Sequence, residues 1–188
     1  TGHGVPGAFM SMLGDAYLNQ IINLQKITQP ENILLELHKA IRSTLQQQET
    51  DNNDGMDLAL CVIDKNKKTL EFAGAKNPLI YIQDGKTERI NGDLMSIGGL
   101  QKERERQFSK YTVDISKETS IYMFSDGYQD QFGGKYGRKF MAKPFRDVLI
   151  DNSDKPFEEQ KNILETTLRK WQGKYPQMDD ITVIGIKI

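Results

Sequence analysis

The stretch TLEFAGAKNPLIYIQDGKTERI, residues 69–90, predicts an antiparallel sheet. Residues 69–73 and 78–83 carry the β-branched, aromatic and aliphatic side chains typical of strands. Asp84 and Gly85 form a dipeptide typical of a two-residue hairpin, and residues 87–90 return from it. Strands joined by so short a turn run antiparallel, because a parallel pair needs a much longer crossover.

Further strands are predicted on both sides of this hairpin. The run DLALCVID is apolar on both faces from Leu58 to Ile63, which predicts a central, buried strand. The others carry β-branched and aromatic residues between polar turns. The predicted strands lie at residues 57–64, 109–115, 119–125 and 181–188.

Apolar residues at steps of three and four predict helices before and after the strands. In the first helix, one stripe contains Met10, Leu13, Tyr17, Ile21 and Leu24. The predicted helices lie at residues 5–26, 30–48, 144–150 and 156–171, and polar or Gly-rich loops at 49–55, 91–108 and 126–137. Helices, then hairpin-connected strands, then helices predict an α+β fold in one domain, residues 1–188.

Composition narrows the class of protein. The 188 residues include 25 basic and 26 acidic ones, so the net charge of −1 argues against a broad surface for nucleic acid or anionic membrane. No apolar run approaches the length of a membrane span. A single cysteine, Cys61, excludes an intramolecular disulfide framework and any multi-cysteine zinc site. Its apolar neighbours predict an inert side chain, and the presence of only one cysteine favours a reducing compartment.

Carboxylates recur at predicted strand ends. Asp57 opens one strand, Asp126 follows another in Phe-Ser-Asp-Gly, and Asp179 and Asp180 precede the last. Such side chains can converge at one rim of a sheet, where their oxygens suit Mg²⁺ or Mn²⁺. Two such ions can activate water for attack on a phosphoryl group. The alternative is that each Asp only forms a turn.

The opening string TGHGVPGAFMS leads directly into the first predicted helix. Gly2 and Gly4 would let backbone N–H groups approach an anion at the helix N-terminus. His3 is a candidate proton donor to a leaving oxygen. The alternative is a glycine-permitted tight turn with a solvent-facing His3, and His38 is expected to be structural because no ligand partner lies one turn away.

Two other segments have ordinary explanations. The basic stretch Lys102–Arg106 alternates with acidic residues, which predicts a solvated loop. Ser125 lacks the Gly-x-Ser-x-Gly context of a hydrolase nucleophile.

Five strings together resemble the metal-dependent protein phosphatases, specifically the bacterial branch similar to stage II sporulation protein E. They occur in the family's order and extend along the whole chain. The strings are TGHGVPGAFMSMLG at 1–14, DGMDLALCVID at 54–64, FAGAKNPL at 72–79, FSDGYQDQFGG at 124–134 and MDDITVIGIKI at 178–188.

The resemblance implies an αββα sandwich of two antiparallel sheets flanked by helices. It implies hydrolysis of phosphoserine or phosphothreonine on a protein, with two Mn²⁺ or Mg²⁺ ions and no covalent phosphoenzyme. Asp126 and Asp179 match metal-binding aspartates, and Asp180 occupies the adjacent position, where relatives often have Asn. Asp57 stands where relatives carry Thr or Ser, and a role at a third metal or behind a ligand is one interpretation.

The resemblance also implies the surroundings of the phosphate and the partners. His3 lies in the family's Gly-His-Gly turn near the phosphate, with Gly2, Gly4 and Gly127 as phosphate- or substrate-binding positions. Implied partners are a phosphorylated protein substrate, such as an antagonist of an anti-sigma factor, and an upstream sensor that makes this domain a signalling output module. The expected location is the cytoplasm, with a parent protein that some relatives attach to the membrane.

One departure qualifies these expectations. In the family, a metal-bridging Asp directly precedes the Thr-Gly-His-Gly turn, whereas this chain opens at Thr1. The sequence therefore predicts a fragment without the first strands of the sandwich, with an incomplete dinuclear site and poor turnover. Open sheet edges would then favour a homodimer.

Two alternatives to an active phosphatase stay open at this stage. One is a catalytically silent regulatory or scaffold module of the same fold, because a ligand is absent. The other is a metal-dependent nuclease, which fits the carboxylates but lacks the basic surface that a phosphodiester backbone attracts. No nucleic-acid partner is expected.

Overall fold

The structure of the chain, a computed structural model, describes residues 4–188. A five-residue π-helix, Gln20–Leu24, continues the first α-helix. The α-helices of the described part are α1 (Gly4–Asn19), α2 (Pro30–Thr44), α3 (Gly127–Asp130), α4 (Ala142–Asp151) and α5 (Phe157–Gln172). The strands are β1 (Gly55–Met56), β2 (Leu58–Asp64), β3 (Thr69–Ala75), β4 (Leu79–Gln83), β5 (Lys86–Ile90), β6 (Ile97–Gly98), β7 (Tyr111–Asp114), β8 (Thr119–Phe124), β9 (Phe132–Gly133), β10 (Arg138–Lys139) and β11 (Val183–Lys187).

The pairing of the strands confirms the predicted α+β class. Every ladder between named strands is antiparallel, and β4 and β5 flank the predicted hairpin, where Asp84 has φ 51° and Gly85 φ 70°. The chain divides into two compact units, residues up to 79 with 89–117, and residues 80–88 with 118–188. The single domain expected from the sequence stays a prediction.

In the first unit, α2 packs its apolar face against strand β3 and the short strand β6. Leu34, Leu37 and Ile41 on that face are completely buried, as their spacing predicted. The helix ends at Thr44, four residues before the predicted end, and Gln46 just beyond it has a positive φ of 49° that a helix cannot continue through.

The apolar stripe of the first helix is confirmed except at its end. Met10 and Ile21 are buried, whereas Leu24 is 77% exposed. The π-helix Gln20–Leu24 explains the difference, because its wider turns rotate the residues after Ile21 away from the stripe.

Strand β2 was predicted to be central and buried, and this was wrong for the described residues. The order of its sheet is β2-β3-β7, so β2 lies at an edge there, and all seven of its residues are only partly buried. An apolar run indicates that both faces of a strand are covered to some extent, but it does not show whether a strand pairs on each side.

The loop 91–108 was expected to be solvated at Lys102–Arg106, but Arg106 is only 5% exposed. Its guanidinium donates hydrogen bonds to the carbonyl oxygens of Ser96 (2.7 Å), Gly98 (3.1 Å) and Leu100 (3.0 Å) and pairs with Glu103. The hydrogen bond from Arg106 lowers the pKa of the Glu103 carboxyl to about 2. Arg106 therefore organises the loop from inside.

His38 is structural, as expected. It lies buried on α2, where its Nδ1 accepts a hydrogen bond from the Gly98 N–H (3.0 Å) and its Nε2 lies 3.0 Å from Gln101 Oε1. The sequence did not predict that this side chain fastens α2 to the loop that Arg106 organises. Burial lowers the pKa of His38 below its ordinary 6.5.

In the second unit, the sheet has the order β11-β8-β4-β5. Tyr122 of β8 is buried and donates a hydrogen bond to Gln160 of α5 (2.9 Å), so Gln160 lies on the inward face of that helix. Residues 126–137 were predicted to be a loop, but they contain the short helix α3 and strand β9, which pairs with β10. Gly133 of β9 packs directly against the Trp171 backbone of α5, and this contact explains why the segment is ordered.

The role of Arg106 is tested by Arg106→Met. The variant leaves three carbonyl groups and the Glu103 carboxylate without their donor, so we expect a loss of about 2–4 kcal/mol in the free energy of unfolding. Arg104→Met, at an exposed position of the same loop, is the control and should change it by less than about 0.5 kcal/mol. Equal effects of the two variants in urea denaturation would contradict this role.

The low pKa of His38 predicts a pH dependence of stability. The unfolded chain binds a proton at His38 below about pH 6.5 while the folded chain does not, so the free energy of unfolding should fall as the pH drops below 6.5. His38→Gln removes this titration, so the stability difference between the two proteins should shrink toward low pH. A difference that stays constant in urea titrations from pH 7.5 to 5 would contradict the prediction, and His3→Gln controls for the other histidine.

Candidate metal centre

Two acidic segments meet at one end of the β8–β11 ladder in the second unit. The antiparallel register pairs Phe124 with Val183 at that end. Ser125 and Asp126 leave β8 there, and Asp179 and Asp180 arrive just before β11. The pairing of the two strands therefore brings these distant parts of the sequence to one rim of the sheet.

Ser125 extends the ladder by a side-chain clasp. Its hydroxyl donates to the Asp180 carbonyl oxygen (2.8 Å) and accepts from the Thr182 N–H (3.0 Å), while its own N–H donates to the Thr182 carbonyl oxygen (3.0 Å). One residue thus makes three hydrogen bonds across the junction, so the segments that carry Asp126 and Asp180 are held together beyond the last strand pair.

Gly127 lets the two segments come close. A Cβ at this position would overlap the Asp180 carbonyl group and would lie 3.1 Å from Ile181. Asp126 stands between two residues, Ser125 and Gly127, that both contact Asp180. Close packing therefore gives a structural reason for the glycine, beside the phosphate-binding role that the resemblance implies.

The acidic side chains are accessible. Asp126 and Asp180 are exposed and Asp179 is half-buried. Asp126 occupies the N-cap position of α3, and its carbonyl oxygen accepts the Asp130 N–H (2.9 Å). The Asp179 carboxylate accepts the Asp180 N–H (2.8 Å), and the Gln177 side chain donates to the Asp179 carbonyl oxygen (2.8 Å).

The chemistry of these donors suits a hard divalent cation. Carboxylate oxygens on an accessible rim, supplemented by water, are the usual ligands of Mg²⁺ and Mn²⁺. Within residues 4–188, however, no three His, Cys, Asp or Glu side chains form a group that would hold a metal by themselves. The rim therefore offers part of a metal site, and complete coordination needs further oxygen donors.

The remaining candidates belong to the first unit or lie outside the described residues. Asp57 belongs to the first unit, where Lys76 Nζ lies 3.4 Å from its carboxylate. Gly4 opens α1 with φ 70°. Gly2 and His3 lie outside the described residues.

Cys61 fits its expected inert role. Burial raises the pKa of its thiol to about 12, so it stays protonated at neutral pH. Ser125 is likewise no nucleophile, since its hydroxyl is engaged in the clasp. Sequence reasoning missed the clasp itself. The available signal was a small hydroxyl residue directly after an apolar strand, opposite the strand that Asp180 precedes.

Comparison with known proteins identifies the family. The chain matches the sequence model of the family described as Stage II sporulation protein E (SpoIIE) over residues 1–188. The chain belongs to the SpoIIE family. It is 34% identical to the SiaA-PP2C domain of Pseudomonas aeruginosa, with a TM-score of 0.87, and the match covers 100% of this chain and 72% of that one. These matches confirm the family resemblance and the phosphatase class that were inferred from the sequence.

More distant structures share the fold. The PP2C phosphatase domain of SpoIIE from Bacillus subtilis, solved with a fragment of its regulatory domain, is 17% identical with a TM-score of 0.71, covering 100% of this chain and 52% of that one. The catalytic domain of the serine/threonine phosphatase PstP, solved with two manganese ions, is 16% identical with a TM-score of 0.60, covering 100% of this chain and 84% of that one. No curated protein matches this SpoIIE-family chain.

The helices of this SpoIIE-family chain differ from membrane-spanning helices in length and polarity. Across residues 4–188, none has the combination of length and apolar character that such a span needs.

The clasp is tested by Ser125→Ala. Losing the hydroxyl removes two hydrogen bonds and leaves the Thr182 N–H without its acceptor, so we expect a loss of about 1–2 kcal/mol in the free energy of unfolding. Hydrogen exchange at Thr182 should accelerate more than at Ile184 inside the ladder. Ser43→Ala, at an exposed position of α2, is the control, and unchanged exchange at Thr182 would show that the clasp does not hold the rim.

Proposed function

We propose that this chain is the phosphatase module of a regulatory protein and hydrolyses phosphoserine or phosphothreonine on a protein substrate through a dinuclear Mn²⁺ or Mg²⁺ centre. The observation that carries the proposal is the meeting of Asp126 with the Asp179–Asp180 segment at one rim. Family membership and the fold shared with PP2C phosphatases support the reaction class.

The proposed roles follow the resemblance residue by residue. Asp126 and Asp179 would hold the ions, with Asp180 beside them and Asp57 serving a third ion or a ligand. When bound, the ions supply an activated water and neutralise charge on the transferred phosphoryl group. His3 would donate a proton to the leaving serine or threonine oxygen, and backbone N–H groups at Gly2, Gly4 and Gly127 would bind phosphate oxygens.

The metal is proposed from relatives and donor chemistry together. PstP was solved with two manganese ions, and the rim of this chain offers carboxylate oxygens, which are hard donors that suit Mn²⁺. Mg²⁺ uses similar donors and retains several waters, so both ions fit an accessible rim with few protein ligands.

The regulatory context is also a proposal. Solved structures with a similar fold include PppA, a key regulatory component of T6SS in Pseudomonas aeruginosa, and SpoIIE with a fragment of its regulatory domain. By the resemblance, an upstream sensor would control this module in the cytoplasm, and its substrate would be a small phosphorylated regulator, such as an antagonist of an anti-sigma factor.

One observation favours a second candidate, a catalytically silent module of the same fold. Among residues 4–188, no group of three acidic, His or Cys side chains would hold a metal by itself. A silent module would keep the fold for binding a partner and would need no complete metal site. The two candidates differ in whether the intact protein turns over phosphate esters.

The phosphatase proposal is tested by Asp126→Asn and Asp179→Asn in the intact protein. Each replaces a charged ligand by a neutral amide, so Mn²⁺-dependent hydrolysis of p-nitrophenyl phosphate and of a phosphoserine peptide should fall by about a hundredfold or more. Asp154→Asn, at an exposed position of the same unit, is the matched control and should retain full activity. Calorimetric titration with Mn²⁺ should show weaker binding in the first two variants only.

Removing the metal gives an independent test. Dialysis against a chelator should abolish hydrolysis, and added Mn²⁺ or Mg²⁺ should restore it. Activity that survives chelation would exclude the metal mechanism. No turnover of either substrate at any concentration of Mn²⁺ or Mg²⁺ would favour the silent module instead.

A further inference from the structure

The second unit carries a basic and aromatic hairpin that the proposed chemistry does not use. Strands β9 and β10 form it, and it spans residues 132–139 (the 132–139 hairpin). Residues 131–146 contain five basic side chains and no acidic one, in a chain whose net charge is −1. The basic residues are Lys135, Arg138, Lys139, Lys143 and Arg146.

The hairpin is held firmly from behind. Gly134 N–H donates to the Trp171 carbonyl oxygen (2.7 Å), and the Trp171 indole N–H donates to the Gln131 carbonyl oxygen (3.1 Å). A Cβ at Gly133 would overlap the Trp171 backbone, so the glycine is what allows this contact with α5. The buried Gln131 side chain donates to the Pro176 carbonyl oxygen (2.9 Å), which fixes the start of the hairpin.

The side chains at the tip of the hairpin are exposed and do not contribute to the core of the unit. Tyr136 is 74% exposed. Lys135 Nζ lies 5.6 Å and Arg138 Cζ 5.8 Å from the centre of its ring, so two cations flank one aromatic side chain. Neither Lys135 nor Arg138 forms an ion pair with any carboxylate in the part of the chain that the structure describes, so both charges are available to a partner.

The hairpin lies close to the proposed metal centre within the same unit. Asp126 occupies the N-cap position of α3, and Asp130 at the other end of that helix pairs with Lys139 of β10 (2.7 Å). At 1.5 Å per helical residue, Asp126 and Asp130 are about 6 Å apart along α3. A substrate segment next to the phosphorylated residue can therefore reach the base of the hairpin, and a few further extended residues, at about 3.3 Å each, bring it to the tip.

We propose that the 132–139 hairpin docks an acidic segment of the protein substrate, adjacent in sequence to its phosphorylated residue. The inference rests on the proposed function and names its substrate class. Lys135 and Arg138 supply charge complementarity, and Tyr136 supplies a rigid aromatic contact of the kind that interfaces favour.

Charge around the hairpin favours a short acidic peptide segment over other polyanions. Duplex DNA or an anionic bilayer would extend past the hairpin and meet the carboxylates of Asp126 and Asp180. Like charge there repels a continuous polyanion. A peptide carries its acidic residues in one short block, so it can contact the cations and place its phosphorylated residue at the rim.

The test compares three phosphoserine peptides, with four Asp before the phosphoserine, four Asp after it, or four Asn on each side. In the intact protein, Lys135→Glu with Arg138→Glu should lower kcat/KM about tenfold for whichever of the two acidic peptides the wild-type protein prefers, mainly by raising KM. The kcat/KM values for p-nitrophenyl phosphate and for the Asn peptide should not fall with it. The loss should shrink at 0.5 M salt because the charges are exposed. Tyr136→Ala should lower kcat/KM for the same peptide.

A matched control is available on another hairpin. Lys86 and Arg89 of β5 have the same spacing and are exposed, so Lys86→Glu with Arg89→Glu should leave all substrates unaffected. The docking proposal is overturned if both double variants behave alike, if all substrates lose activity equally, or if the wild-type protein does not prefer an acidic peptide.

Failure of the proposed function is distinguishable from failure of the docking. If p-nitrophenyl phosphate is not hydrolysed, the phosphatase proposal fails, and fluorescence anisotropy with the same labelled peptides decides the docking. Weaker binding of the acidic peptide to the Lys135/Arg138 double variant alone supports it. Equal binding to both double variants, or tighter binding of duplex DNA or phosphatidylserine vesicles than of the acidic peptide, overturns it.

Discussion

The antiparallel pairing of β8 with β11, extended by the Ser125 clasp, is the constraint on which the candidate site depends. Ser125 and Asp180 are 55 positions apart in sequence, yet one hydroxyl joins them. The register of this ladder, which pairs Phe124 with Val183, also sets which residues of the segments beyond the two strands lie opposite each other. Carboxylates repel one another unless cations bridge them, so backbone and hydroxyl hydrogen bonds must hold the rim when no ion is bound.

Close approach of backbones recurs in the second unit and links the rim to the hairpin. Gly127 lets the start of α3 rest against Asp180, and Gly133 lets the hairpin rest against Trp171 on α5. Between them, Tyr128 of α3 is buried and its hydroxyl donates to the Leu164 carbonyl oxygen of α5 (2.8 Å). The segment after β8 is thus fixed at three successive points, which keeps exposed polar side chains on a rigid backbone. Such rigidity is what a binding or catalytic surface requires.

Local sequence signals predicted what local physics determines. The Asp84–Gly85 turn and the buried face of α2 follow from turn chemistry and periodicity, and both are present. The placement of Asp126 near Asp180 was expected from their positions after and before apolar strands, and from the family resemblance. The errors arose where a structural feature that leaves no pattern in the sequence overrides the local signal. A π-helix turns Leu24 outward, and Arg106 is buried because three carbonyl groups surround it, neither of which charge patterning or spacing reveals.

Net charge conceals a separation that matters for recognition. The value of −1 argues against a broad polyanion-binding surface, but it is an average over the whole chain. Within the second unit, acidic side chains gather at the rim while basic ones gather on the 132–139 hairpin, two regions joined by α3 and by the Lys139–Asp130 pair. Screening limits the reach of exposed charges to about 8–10 Å at physiological salt. Coulomb attraction falls with distance, so each group of a ligand responds most strongly to the charges nearest to it. A rim that attracts cations and a hairpin that attracts carboxylates can therefore serve the same substrate.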